Sequence, residues 1–170
     1  MTYLRNILFL SMAALITLSV AQSAEVGQKL SACPLTEFSN NNSAVELNNY
    51  KGKVIYLDFW ASWCPPCAKS FPFLNELHRQ YHNEGLRIVA INLDEAPEDA
   101  DKFLIQYPAE FTLARDLSKQ CAEDLGVAAM PSSYLIDRKG IIWHIHLGFR
   151  ASETQELREK VKQLLAEPIL

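Results

Sequence analysis

Lys53-Val54-Ile55-Tyr56-Leu57-Asp58-Phe59-Trp60-Ala61-Ser62-Trp63-Cys64-Pro65-Pro66-Cys67 runs from an almost wholly apolar segment straight into two thiols three residues apart. Residues 53–60 read as a central strand covered on both faces, because a half-exposed strand would alternate polar and apolar positions. An amphipathic stretch follows, with Phe71, Leu74, Leu77 and Tyr81 on one helical face. The Cys-x-x-Cys therefore falls at a strand-to-helix junction. The first turn of a helix has unpaired N–H groups and a positive dipole end, and both favour a thiolate over a thiol. Cys64 reads as the attacking sulfur and Cys67 as the resolving one.

The chain has 170 residues, enough for one domain, and its 49% hydrophobic content is enough for a real core. A formal charge of -4 and the absence of any basic run argue against a nucleic-acid surface. The amino end is different in character. Arg5 precedes an apolar run from Ile7 to Val20, followed by small residues. That run is short for a membrane span, which needs roughly 20 residues, and suits a secretory signal. Residues 1–24 are thus expected to be a signal peptide, cleaved after Ala21 or Ala24, with an uncleaved membrane anchor as the other reading. Residues 25–170 would form the mature domain. Export places the four cysteines in an oxidising compartment, where an even count suggests pairing. Cys64 and Cys67 pair by proximity. Cys33 and Cys121 remain, either as a structural bridge or as two isolated buried thiols.

Downstream, turns and periodicity divide the chain into alternating elements. Asn40-Asn41-Asn42-Ser43 separates Leu35–Phe38 from Val45–Leu47 as the tip of a small hairpin. Leu86–Leu93 reads as a second covered strand. Pro97, Glu98 and Asp99 open a helix continued by Phe103, Leu104 and Tyr107, and Phe111–Ala114 reads as a short strand. Asp116–Leu125 reads as a helix stopped by Gly126. Ser132–Ile136 and Ile141–Leu147 are strands joined by the turn at 137–140. A last helix is expected to open at Ser152 with Gln155 completing a capping box, burying Leu157, Val161, Leu164 and Leu165. The order predicts an α/β fold with a central mixed sheet flanked by helices.

Asp58 stands six residues before Cys64 in an otherwise apolar strand. Burial of a carboxylate is expensive and raises its pKa, which would fit it to accept the Cys67 proton. The bland reading is a solvated carboxylate at the strand end. Covalent haem attachment needs histidine after the second cysteine, and Ala68 stands there. Zinc needs two further ligands at suitable spacing, and Cys33 and Cys121 lie singly. His78 and His82 lack a third ligand, His144 and His146 carry no further signal, and the acids at 94–101 read as a helix start with exposed charge. No metal and no cofactor are expected.

Residues 58–67, with Pro72 eight residues after Cys64, resemble the active site of the thioredoxin superfamily. Val127-Ala128-Ala129-Met130-Pro131-Ser132-Ser133-Tyr134-Leu135-Ile136-Asp137 resembles the segment that carries the superfamily's cis-proline. The hairpin, Lys51-Gly52-Lys53 and the inserted helix near 97–107 resemble the exported TlpA/ResA/DsbE branch, and the likeness covers residues 26–166. The resemblance implies a thioredoxin-like fold with an N-terminal β-hairpin and an inserted helix. It also implies a cis bond before Pro131 that turns the Met130 backbone toward an extended substrate. Trp63, Pro65 and Pro66 would complete the substrate surface, with the two prolines stiffening the ring between the thiols. Trp60 is equally well read as core.

The implied activity is an exported thiol-disulfide oxidoreductase, acting as a monomeric reductase in the periplasm. Its Cys64–Cys67 pair would be re-reduced by a membrane electron carrier of the DsbD kind, and its clients would be exported proteins with disulfides, apocytochrome c among them. Two departures matter. Ser70 replaces the Glu common in the branch, and the Gly-Val-Tyr-Gly-Ala-Pro-Glu signature of dedicated cytochrome-maturation members is absent, so a general TlpA-like role ranks first. Asp58, where the branch often has Asn, resembles thioredoxin itself and favours the reducing direction. An oxidase or isomerase, and a redox-inert binding module, are the alternative readings.

Overall fold

All seven residues of the strand Val54–Trp60 are buried, and the rest of the molecule is arranged to cover them. The structure, a computed structural model, describes residues 24–168. The leader expected over residues 1–24 lies outside the described residues apart from Ala24. In chain order the strands are β1 (Leu35–Glu37), β2 (Ala44–Val45), β3 (Val54–Trp60), β4 (Leu86–Asn92), β5 (Thr112–Arg115), β6 (Ser132–Ile136) and β7 (Ile142–Leu147). The helices are α1 (Pro65–Tyr81), α2 (Pro97–Gln106), α3 (Gln120–Asp124) and α4 (Thr154–Ala166).

One sheet of order β2-β1-β5-β4-β3-β6-β7 contains every strand. β3, β4 and β5 are parallel neighbours, whereas β6 and β7 on one side and β1 and β2 on the other run antiparallel. Parallel neighbours need crossovers, which α1 and α2 provide. The mixed sheet is the one the alternation of elements predicts.

Alternation along β3 divides the core in two. Val54, Tyr56 and Trp60 join a cluster with α1, α2 and α4, including Phe71, Leu74, Phe103, Leu157 and Val161. Ile55, Leu57 and Phe59 face the other way, onto Leu35, Ala122 and Leu125. Asp58 takes its place on the first face, between Tyr56 and Trp60.

Two helices start later than expected. α3 begins at Gln120 rather than Asp116, because residues 116–119 close a turn in which the Lys119 N–H donates to the Asp116 carbonyl at 3.1 Å. The Asp116 carboxylate accepts from the Ala122 N–H at 2.8 Å and so anchors the helix from outside it. At α4, Ser152 lies in a short 3-10 turn and no side chain caps the helix start. Gln155 donates forward to Glu159 instead of back to residue 152, while the Thr154 hydroxyl donates to Ala151 O. The apolar face is nonetheless as expected, with Leu157, Val161 and Leu164 buried and Leu165 packed against them.

Cys33 and Cys121 are bonded, joining the segment before β1 to α3 across 88 residues. Closing a loop of that length removes unfolded-chain entropy, on the order of 4 kcal/mol in the chain model. Replacing both cysteines with Ala should lower stability in urea denaturation by about 2–4 kcal/mol, with exchange at Cys64–Cys67 retained.

Candidate active site

Cys64 is the residue that caps α1. Its backbone is extended (φ -97°, ψ 100°), Pro65 and Pro66 occupy the first helical positions, and its Sγ accepts the Cys67 N–H at 3.2 Å. Proline suits a helix start because the missing N–H has no intrahelical partner there anyway. Cys64 and Cys67 are bonded to each other. The helix continues through Pro72 to Tyr81. Cys67 is 0% exposed and Cys64 3%, so the pair lies at the edge of the core.

Their loop is fixed from β4. Trp60 pairs with Asn92, which brings the residues after β4 level with those after β3. The Asp94 carboxylate then accepts the Ser62 N–H at 2.9 Å and the Ser62 hydroxyl at 3.0 Å, and Asn92 Nδ2 donates to it at 2.7 Å. Asp94 is therefore a loop anchor, which corrects its expected place among exposed helix-start acids. The signal was there to find: Asp94 follows the second covered strand as Ser62 follows the first, and parallel neighbours bring such ends together.

Asp58 is 1% exposed, which rules out the solvated strand-end reading. It lies opposite Ala90 on β4 and Ser133 on β6. The Ser133 hydroxyl donates to Oδ1 at 2.6 Å, and Oδ2 is buried without a partner among the described residues. Burial pushes the carboxyl up from 3.8 to about 7, against a smaller downward pull from the Ser133 hydrogen bond. Tyr56 is likewise held protonated by burial and by the Asp58 charge. Ser133 escaped notice in the sequence, since only the β3–β6 register makes it a neighbour 75 residues away.

Met130-Pro131 is a cis peptide. Phe59 pairs with Ser132, which sets Pro131 level with the end of β3 from which the Cys64 loop departs. The Pro131 carbonyl is engaged by the Gly148 N–H at 2.8 Å. The two tryptophans differ. Trp60 is fully buried, its ring 4.9 Å from both Phe71 and Phe103, and is core. Trp63 is 68% exposed. It borders a groove of about 800 Å³ lined also by Cys64, Pro65, Lys69, Phe103 and Tyr107. Ser70, where the branch commonly has Glu, is buried and donates to Cys67 O at 3.0 Å.

Of the remaining histidines, His78 and His82 lie with tilted rings whose centroids are 4.7 Å apart, and burial together with the His82 charge lowers the His78 pKa. Among the described residues no three His, Cys, Asp or Glu side chains are grouped to hold a metal.

The redoxin family profile matches residues 25–164. The thiol-disulfide oxidoreductase ResA of Bacillus cereus (strain ATCC 10987 / NRS 248) is 32% identical over 146 residues, 86% of this chain and 82% of the relative. The chain belongs to the thioredoxin superfamily, in its ResA/DsbE-like group. A Chlorobium tepidum structure described as a candidate thiol:disulfide interchange protein DsbE superposes with TM-score 0.79 at 42% identity, covering 85% of this chain and 100% of that one. A candidate protein disulfide isomerase from Bacteroides thetaiotaomicron gives TM-score 0.75 at 25% identity, covering 84% and 91%. The fold is thioredoxin-like, and this ResA/DsbE-like protein is a protein-disulfide oxidoreductase with Cys64–Cys67 as its Cys-x-x-Cys pair.

The Asp58 carboxyl also has a consequence for stability. Its folded pKa lies above its unfolded value, so the folded state binds the extra proton and stability falls as pH rises from about 4 through about 7. Between pH 5 and pH 8 this group should remove roughly 2–3 kcal/mol. In Asp58→Asn that slope should disappear, as read by urea denaturation of the oxidised protein at the two pH values.

Proposed function

We propose that this oxidoreductase is an exported, TlpA-like reductase of periplasmic protein disulfides, cycling through Cys64 and Cys67. The observation that carries the reading is the asymmetry of the pair. Cys64 sits at a helix N-terminus beside the open groove, whereas Cys67 is wholly buried. The Cys64 thiolate attacks a client disulfide, forming the Cys64–client bond and releasing the client's other sulfur as a thiolate that takes a proton. Cys67 then gives its proton to Asp58 and attacks Cys64. The Cys64–Cys67 bond forms, the Cys64–client bond breaks, and the electron pair leaves on the client sulfur. The client gains two electrons and the pair is left oxidised.

Direction follows from how strongly Cys64 is held as thiolate, because strong stabilisation makes the disulfide a strong oxidant. Pro65 and Pro66 carry no N–H, so within the first three helical positions only Cys67 donates to Sγ. A helix start stripped of two donors stabilises the thiolate less, which supports the reducing role over the oxidase or isomerase. Met130 makes no backbone hydrogen bond among the described residues, which supports it as the edge where an extended client pairs, with Pro131, Trp63, Pro65 and Pro66 around it.

The apolar leader supports export, whether cleaved or kept as an anchor; among the described residues no helix is long and apolar enough to cross a membrane. A membrane electron carrier of the DsbD kind would re-reduce the pair, with apocytochrome c among the clients.

The midpoint potential should lie nearer thioredoxin's value of about −270 mV than the −120 mV or so of DsbA, measured against glutathione or dithiothreitol. A value near the latter overturns the reductase. Cys64→Ser should abolish both insulin reduction and the protein's activity in cells, and survival of the cellular activity would leave only a binding module. Cys67→Ala should accumulate mixed disulfides on Cys64, whose identification by mass spectrometry names donor and clients together.

A further inference from the structure

We propose that Ser133 is a positioning residue for the resolving step: its hydroxyl engages Oδ1 of Asp58 and so makes Oδ2 the atom that receives the Cys67 proton. The inference rests on Asp58 being the acceptor and adds what holds it in use.

Cys67 is wholly buried, so its proton cannot leave directly to bulk water and needs an internal base. Asp58 is the carboxylate on the face of β3 that α1 covers, between Tyr56 and Trp60. A carboxyl with both oxygens free could rotate and take the proton on either. Here the 2.6 Å bond from Ser133 occupies Oδ1, while Oδ2 is buried with no partner among the described residues. Ser133 is itself buried, and the antiparallel register holds it directly opposite Asp58. A small hydroxyl in a strand has few rotamers to lose, so the bond is set by the sheet.

The step balances with these atoms alone. Cys67 S–H loses its proton to Oδ2, the Cys67–Cys64 bond forms, the Cys64–client bond breaks, and the client sulfur leaves with the electron pair. Ser133 keeps its own proton throughout. Because it donates to the ionised form, it also keeps Asp58 charged to lower pH than burial alone would allow. Ser133 lies two residues beyond Pro131, so one strand carries both the client-facing loop and the group that sets the base.

The other groups facing this pair are few. Tyr56 precedes Asp58 by two on β3, His146 lies opposite Ser133 on β7 and reaches Glu153 at 3.3 Å, Cys67 comes from α1 and Cys64 from its cap, and β4 presents Ala90. Asp58→Asn is therefore the control that separates the carboxyl from His146.

The test is the pH profile of the resolving step, followed as single-turnover release of a preformed Cys64 mixed disulfide with a small thiol reporter, in the full chain. The Asp58 titration, read from the carboxyl infrared band of the oxidised protein, gives a second and independent measurement. Ser133→Ala should move the acid limb and the titration upward by about one pH unit, slowing release about tenfold near pH 6 and restoring it near pH 9. Ser133→Thr, which keeps the hydroxyl, should return both to the parent values. If Ser133→Ala leaves the limb and the carboxyl band in place while Asp58→Asn abolishes the limb, Ser133 does not position the base and the proposal is overturned with the role of Asp58 intact. If Asp58→Asn itself leaves the limb unchanged, the acceptor is another group and the underlying reading fails first. A lowered stability of Ser133→Ala with no movement of either pH readout would also overturn it, since that is what a purely structural serine does.

Discussion

A carboxylate in the middle of a strand whose seven residues are all buried imposes a cost that the fold must carry, because neither oxygen reaches water. Burial, only partly offset by the Ser133 hydrogen bond, raises the group from 3.8 to about 7, a difference equivalent to roughly 4 kcal/mol between its protonated and charged forms. The sheet lessens that cost at one oxygen only, through Ser133. A fully satisfied carboxylate would be a better structural element and a poorer base. The half-satisfied arrangement keeps Asp58 able to change charge near neutral pH, the range in which a proton acceptor for a thiol is useful.

The same strand also determines where the thiols lie. β3 ends at Trp60, whose ring is locked among Phe71 and Phe103, and the chain must turn within four residues to start α1 at Pro65. Asp94 holds that turn by pairing with Ser62, so the geometry of Cys64 depends on the parallel register of β3 with β4. The Met130-Pro131 loop reaches the same end through the antiparallel register of β3 with β6. The Cys64 loop, the Met130-Pro131 loop and Asp58 are therefore all referred to one strand.

That dependence explains which parts were legible in the sequence. The almost wholly apolar run of β3, the Cys-x-x-Cys that follows it and the apolar stripe of α1 are local patterns, and each appears where periodicity places it. The burial of Asp58 follows from the company it keeps. Ser133 was not legible, because its partner is fixed by a pairing between strands distant in sequence. Asp94 could be found only by aligning the ends of two parallel strands. Asp116 reads as a helix start, although its bonds to Lys119 and Ala122 close a turn ahead of the helix. Ser152 and Gln155 failed for a different reason. A capping box is an optional local bond, and the 3-10 turn there, with Arg150 bonded to Glu153 at 2.6 Å and Thr154 to Ala151, leaves Ser152 outside the helix start.

A protein that carries a reactive thiolate and a second disulfide must keep the two from exchanging. Cys64 and Cys67 belong to the core cluster under α1, α2 and α4, whereas Cys121 and Cys33 belong to the cluster on the opposite face of the sheet. Attack requires the thiolate to meet a disulfide sulfur directly, and a continuous hydrogen-bonded sheet stands between them. Layers on the two sides of a sheet lie on the order of 10 Å from its plane, well beyond the reach of a cysteine side chain. Exchange between the pairs within one molecule would need the sheet to open. The bridge that ties the amino-terminal segment to α3 is thereby separated from Cys64 of the same chain, and the fold can exchange at one face while remaining cross-linked on the other.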